Sequence, residues 1–285
     1  MVARLAPRRH IARSRHCYRG PGGVVLLPRY ADEPGGARDG VMPINEHPIP
    51  VLQRGSWPQP IRLRRGWARA EARTWNDRVP DAALRLVRGG SVFLELCSKR
   101  LNELGAPYIL SPPLPQSSRR PWEAAGFVEF VPLAFMRHDL SGGLPSPDHL
   151  VITPPDHSIA DLLRVDHAAF DDFWRFDRFG MAEAIAATTK TRSLLIRGPD
   201  GVPVAFAIVG FGHAMSYLQR LAVHPDWQGQ QMGRSLIRAA ARTAQSAGSR
   251  AMMLNTQTDN DAAISLYVSE GFVTLPEPLA VLRRG

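Results

Sequence analysis

The chain holds 285 residues, 44% hydrophobic and 21% charged, with 25 Pro, 24 Gly and a net charge of +9. This composition excludes a collagen-like, coiled-coil or wholly disordered chain, and the length provides for one large domain or two ordinary ones. The charge is uneven: residues 1–48 sum to +4, residues 49–147 to +6 and residues 148–285 to −1.

Residues 1–48 are rich in Arg, Gly and Pro without lasting periodicity and are expected to be a disordered basic arm. Their longest apolar stretch, Val24–Leu27, is far shorter than the roughly 7 to 15 residues of a secretory h-region. No later run approaches the roughly 18 to 20 apolar residues that span a bilayer. Ile61–Ala72 is expected to be a strand or a strand pair. Val92–Leu104 has helical spacing and ends at Gly105. Tyr108–Leu110 predicts a short strand, Trp122–Ala125 a short helix closed by Gly126-Phe127, and Val128–Met136 a strand. Ser141–Pro147 is expected to be a linker.

Ser158 is placed to cap a helix carrying Ile159, Leu162, Leu163 and Val165, and a second helix is expected near Met181–Thr189. Ser193–Ile196 and Val202–Phe211, joined by Gly198-Pro-Asp-Gly201, predict a hairpin. Ser216–Val223 is the next strand, Gln231–Ala247 a helix stopped by Gly248, and Ala251–Asn255 a strand. Asp261–Ser269 is a helix capped by Gly271, with a last strand around Val281. The order helix–Gly105–strand–loop–Trp122…Gly126-Phe127 recurs as helix–Gly248–strand–loop–Tyr267…Gly271-Phe272, which suggests a duplicated unit.

The chemistry concentrates in Leu221-Ala-Val-His-Pro-Asp-Trp-Gln-Gly-Gln-Gln-Met-Gly-Arg-Ser-Leu236. A strand ends near Val223, a Pro/Gly turn follows, and a helix opens near Gln231. The unpartnered N–H groups there and the helix dipole favour an anion. Gly229 and Gly233 allow close backbone approach, and Arg234 adds a cation. The result is a pyrophosphate site without a Walker lysine. Nine scattered His without HExxH or paired Cys/His spacing argue against a metal site. Cys17 and Cys97 form no disulfide framework, which points to a reducing cytoplasm.

This stretch resembles the signature of GNAT-superfamily N-acetyltransferases, L-x-V-x-P followed by [RQ]-x-x-G-x-[GA] at a helix start. A second signature of that family, N-x-x-A-x-x-x-Y with G-F four residues on, is matched by Asn260, Ala263, Tyr267 and Gly271-Phe272. Asp166–Phe170 and Trp174–Asp177 are similar to substrate-side helices of tandem members. The resemblance covers residues 148–285 and implies an α/β (α+β) fold, a mixed, mostly antiparallel sheet flanked by helices. Residues 49–140 would be a partial, degenerate second copy. It implies an acetyl-CoA site, with pantetheine along Leu221, Ala222 and Val223. The pyrophosphate would lie on the amides of Gln228, Gly229, Gln230, Gln231, Met232, Gly233 and Arg234, with Asn260 and Ala263 on the other wall. One position departs from the family: its usual glycine is Gln231 here.

The implied reaction is direct attack of a primary amine on acetyl-CoA, with Tyr267 protonating the leaving thiolate and a backbone N–H near Leu221–Ala222 holding the oxyanion. The acceptor is a small metabolite or a protein N-terminus. In ribosomal-protein N-terminal acetyltransferases a Glu stands five residues before the motif Asn; here that residue is Asn255. Asp259, Glu270, His213 and His224 remain as bases, beside a water relay or an amine that binds neutral. In the first copy Trp122 replaces Tyr267 and no phosphate cradle precedes Val92, which implies a non-catalytic half that stabilises the active one or walls its substrate site. Two other readings stand: an acyl-CoA-sensing module without activity, and nucleic-acid binding through the basic first half, for which no aromatic–basic interleaving speaks. Oligomeric state is not readable.

Overall fold

The structure, a computed structural model, describes residues 50–285 and the backbone of a short antiparallel hairpin, β1 (Tyr18–Gly20) and β2 (Gly23–Val25). The remainder of the basic arm expected over residues 1–48 lies outside the described residues. In the first half, alternation sets the strands. β4 (Ile61–Arg65) and β5 (Ala68–Thr74) bury Ile61, Leu63, Ala68, Ala70 and Ala72 and turn Arg62, Arg64 and Arg69 outward. They are thus a strand pair, antiparallel in register Ile61↔Ala72, flanked by β3 (Leu52–Arg54) and β6 (Ala82–Arg88). The helix α1 (Ser91–Glu103) covers their apolar face with Phe93, Leu94, Cys97 and Leu101.

β6 pairs in parallel with β7 (Ile109–Leu110), and β8 (Leu114–Pro115) leads to α2 (Arg120–Glu123). The long strand β9 (Val128–Asp139) follows, three residues longer than its apolar run because Arg137–Asp139 still pair with Ala251–Met253. In the second half Ser158 caps α3 (Ile159–Ala169), its hydroxyl accepting from the Asp161 N–H. α4 (Arg178–Ala186) begins before the expected Met181 because the Asp177 carboxylate caps it, accepting the Gly180 N–H at 2.7 Å. The meander β10 (Lys190–Arg197), β11 (Pro203–Phe211) and β12 (Met215–Val223) is antiparallel. Then come α5 (Met232–Ser246), β13 (Ala251–Gln257), α6 (Asp261–Ser269), β14 (Phe272–Thr274) and β15 (Leu279–Arg284).

β3 to β15 make one sheet of thirteen strands, with the path β10-β11-β12-β13-β9-β15-β7-β6-β5-β4-β3. Neither half closes on its own. β9, the last strand of the first half, lies between β13 on one edge and β14 and β15 on the other, whereas β15, the last strand of the second half, pairs with β7 and β8 of the first. α5 packs on one face of the second half with Leu236, Ile237, Ala240 and Ala244. α3 and α4 pack on the opposite face with Leu162, Val165 and Met181. Among the described residues no helix is long and apolar enough to cross a membrane.

Candidate active site

β12 and β13 run parallel but pair only over Met215–Tyr217 and Ala251–Met253, after which they part. β12 stays bonded to β11 up to Val223↔Ala205, so from Leu218 onward its other edge is open. In an antiparallel ladder N–H and C=O groups alternate between the two edges. The His224 N–H donates to Val204, and this phase gives Ala222 to β11 while Leu221 and Val223 face the opening. Of the expected trio, Ala222 therefore turns its backbone groups to β11. The Val223 carbonyl accepts from Gln228 Nε2 at 3.1 Å, which leaves Leu221 with both backbone groups on the open edge.

Beyond that edge the chain turns through Pro225–Trp227 into α5. Gly229 has φ +74° and Gln231 φ +63°, the one non-glycine with positive φ among the described residues. An L-residue in that region costs about 1–2 kcal/mol. The α5 N-terminus has no side-chain cap and no acidic residue in its first turn, so its N–H groups and dipole are available to an anion. Met232, the first residue of α5, is buried. Gln230 ties the turn down, its carbonyl 2.7 Å from His149 Nε2. Gly233 serves a second purpose: a Cβ there would stand 3.2 Å from Leu266 Cδ2, so its smallness lets α6 approach α5. Arg234 is turned toward α6, 3.2 Å from Glu270 and 3.4 Å from the Ser269 hydroxyl.

The opening is a cleft of about 180 Å³. Asn260 and Ala263 line it, with the Asn260 carboxamide oxygen capping α6 by accepting the Ala263 N–H at 3.1 Å. Tyr267 also lines it, nearly buried against Phe272 with ring centroids 5.7 Å apart. Burial pushes the Tyr267 phenol up to about 12, opposed by the charge of Arg220. Among the described residues lining the cleft there is no carboxylate. Glu270 is buried between Arg234 and Arg238 and fastens α6 to α5. Asp259 is exposed. His224 caps the Pro225 turn, accepting the Asp226 N–H. His213 sits in the β11–β12 turn, at the end of β12 where β13 is still paired. Asn255 lines the cleft. No three His, Cys, Asp or Glu side chains converge as a metal site among the described residues.

Two contributors add residues that the sequence reading does not name. The first is a buried ion pair: Arg220 Nε lies 2.6 Å from Asp166 Oδ2, with 8% and 0% of the side chains exposed. The guanidinium is sandwiched between Phe170 and Phe176, 3.5 and 3.9 Å from their centroids, and also donates to the Trp174 carbonyl. Asp166 accepts the Phe176 N–H, so the pair shapes the α3–α4 loop. Consecutive polar residues, Gln219-Arg220, inside an apolar strand were the available signal. They mark a bulge, since Ile208 faces Arg220 while Val209 faces Leu218. The second is the first half of the chain, which supplies Arg73, Trp75 and Pro113 to the cleft. Trp75 stacks on Phe173 at 5.1 Å and donates to its carbonyl, Asn76 donates to the Asp172 and Arg175 carbonyls, and Arg73 pairs with Glu183 of α4 at 2.8 Å.

Comparison with known proteins agrees with this geometry. Residues 158–272 match the model of the acetyltransferase (GNAT) family. A mycothiol acetyltransferase of Nocardiopsis dassonvillei is 28% identical over 270 residues, covering 88% of this chain and 74% of that protein. The structure of a GCN5-related N-acetyltransferase from Sphaerobacter thermophilus is similar at a TM-score of 0.53, with 16% identity and 80% of each chain covered. A tandem GNAT protein from the clavulanic acid biosynthesis pathway is similar at a TM-score of 0.55 and 12% identity, over 79% of this chain and 82% of that one. Residues 158–272, the span that holds the cleft, are thus the part of the chain that is similar to the acetyltransferase (GNAT) family.

Proposed function

We propose that the chain transfers an acetyl group from acetyl-CoA to the primary amine of a small molecule, in the cytoplasm, within the cleft between β12 and β13. The observation that carries this reading is the parting of those strands beside an uncapped helix N-terminus, with Tyr267 on the far wall. The open edge at Leu221 and Val223 suits the amide groups of pantetheine, and the amides of residues 228–234 suit the pyrophosphate. The walls from the first half make the acceptor side a recess, which favours a small molecule, and the relative named mycothiol acetyltransferase points the same way.

Acetyl-CoA supplies the acyl group as a thioester. As the C–N bond forms and the C–S bond breaks, the Leu221 N–H is placed to hold the developing oxyanion. Tyr267 donates its proton toward the leaving sulfur. A phenol near 12 gives up that proton to a thiolate with an ordinary value of about 8.5 only uphill, and the Arg220 charge beside it lowers the cost. With no carboxylate lining the cleft, the proton of the attacking amine leaves to water. Calorimetry with acetyl-CoA and thiol release across an amine panel test the proposal. Saturable binding with amine-dependent release is expected. Binding without release from any amine would favour a sensor, and no binding at near-millimolar acetyl-CoA would remove the reading.

A further inference from the structure

The first half has its own parting of strands. β6 and β7 pair in parallel only at Ala82↔Ile109 and Ala83↔Leu110, just as β12 and β13 pair only at their starts. Here the strand-to-helix connection is Gly89-Gly90, two residues in place of the eight of His224–Gln231, so no phosphate turn exists. The space beside this parting is nevertheless a cavity of about 620 Å³, a size suited to a small molecule.

Its chemistry is unlike that of the cleft. Across four adjacent strands Arg54 faces Arg62, Arg62 faces Glu71, and Glu71 faces Arg85, and all four line the cavity. Like charges directly opposite destabilise a sheet. Glu71 contacts both Arg85 and Arg62, whereas the Arg54 guanidinium has no acidic partner among the described residues. Arg73 and Glu183, also on the wall, neutralise each other. The ladder thus holds two positive charges beyond its one carboxylate. Arg73 and Trp75 belong to the walls of both this cavity and the cleft that holds Tyr267.

We propose that this cavity binds the anionic part, a carboxylate or phosphate, of the amine acceptor, through Arg54, Arg62 and Arg85, while the amine end reaches the cleft past Arg73 and Trp75. The role as acceptor site rests on the transferase reading; the anion site itself does not. Two matched pairs test it by calorimetry with the full chain and no acetyl-CoA: glucosamine 6-phosphate against glucosamine, and alanylglutamate against alanylglutamine. In at least one pair the anionic member should bind about tenfold or more tightly, with the advantage shrinking as salt rises. The paired substitution Arg62→Gln, Arg85→Gln should abolish the preference, and Arg64→Gln, on the same strand but outside the cavity, should keep it. Equal or undetectable binding in both pairs, or a preference that survives the paired substitution, overturns the proposal. So does duplex DNA binding that is lost in the paired variant while no small amine is distinguished. Thiol release with acetyl-CoA is then measured separately: anion-dependent binding without turnover leaves the anion site standing and defeats the transferase reading.

Discussion

The two halves of this chain repeat one order of elements and differ at the points where chemistry needs particular groups. Trp122 and Phe127 meet edge to face at 4.8 Å, and Tyr267 and Phe272 meet tilted by 60° at 5.7 Å. Gly105 and Gly126 end helices with positive φ, as do Gly248 and Gly271. A parallel strand pair that parts after two or three residues occurs in both. What the first half lacks is the long turn before its helix and a phenol at the end of its opening; what it has in their place is arginine. The likeness is that of a repeated packing unit, with the long turn and the phenol in the second half alone.

The largest expected effect concerns whether the halves are separable. Because β9 and β15 lie within each other's neighbourhoods, residues 148–285 expressed alone should show no cooperative thermal unfolding. A folded fragment would mean that the exchanged strands are dispensable. Next come the buried charges. Asp166→Asn leaves Arg220 buried without its counter-ion and should cost about 3–5 kcal/mol in denaturant unfolding. Glu129→Gln in the first half, where a carboxylate 52% exposed meets the buried Arg119, should cost about 1 kcal/mol or less.

The aromatic counterparts sharpen the functional contrast. Tyr267→Phe should lower kcat about 100-fold while acetyl-CoA affinity stays within about twofold; Trp122→Phe should cost stability and leave kcat alone. Equal kcat in the Tyr267 variant would make the phenol structural. Alkaline unfolding carries a mark of each half. Burial raises the Cys97 thiol from 9.0 to about 12 and the Tyr267 phenol from 10.0 to about 12. Both groups are held neutral in the fold, so their contribution is complete below the unfolded values and is lost as pH climbs to about 12. Stability should fall from about pH 9, and Cys97→Ala should remove the earlier part of the fall and Tyr267→Phe the later. The smallest effect is at the helix start. Gln231→Gly relieves a positive φ and should raise stability by about 1 kcal/mol, with acetyl-CoA bound more tightly.

Much of this fold could be read from the residues because periodicity and caps are local. α6 falls on Asp261–Ser269 as expected, and Ser158 caps α3. β6 was not anticipated: Ala82–Arg88 is short, carries two Arg and matches no clear alternation, and its neighbours supply the pairing. The two signatures contribute Leu221, Asn260, Ala263 and Tyr267 to one cleft, and they were legible because they combine turn residues with fixed spacing. They were silent about Arg220–Asp166, whose partners are 54 residues apart, and about Arg73 and Trp75, which reach the cleft from the other half. Proximity across such separations is a property of topology, which no local pattern encodes. The charge surplus of the first half shows the same limit: the sum was visible, but its gathering on one sheet face depends on the register of four strands.

The exchange of final strands also has a consequence in time. Leu114 of β8 waits for Ala280, about 170 positions later, and at roughly 5–20 residues per second synthesis takes about 10–30 s to cover that distance. During that interval the first half presents an unpaired sheet edge, a template for pairing with other chains, and the contacts that close it are among the slowest kind to form. The nascent chain should therefore depend on chaperones in proportion to how slowly it is made, and slowed translation of the second half should lower the soluble yield before it changes any property of the finished protein.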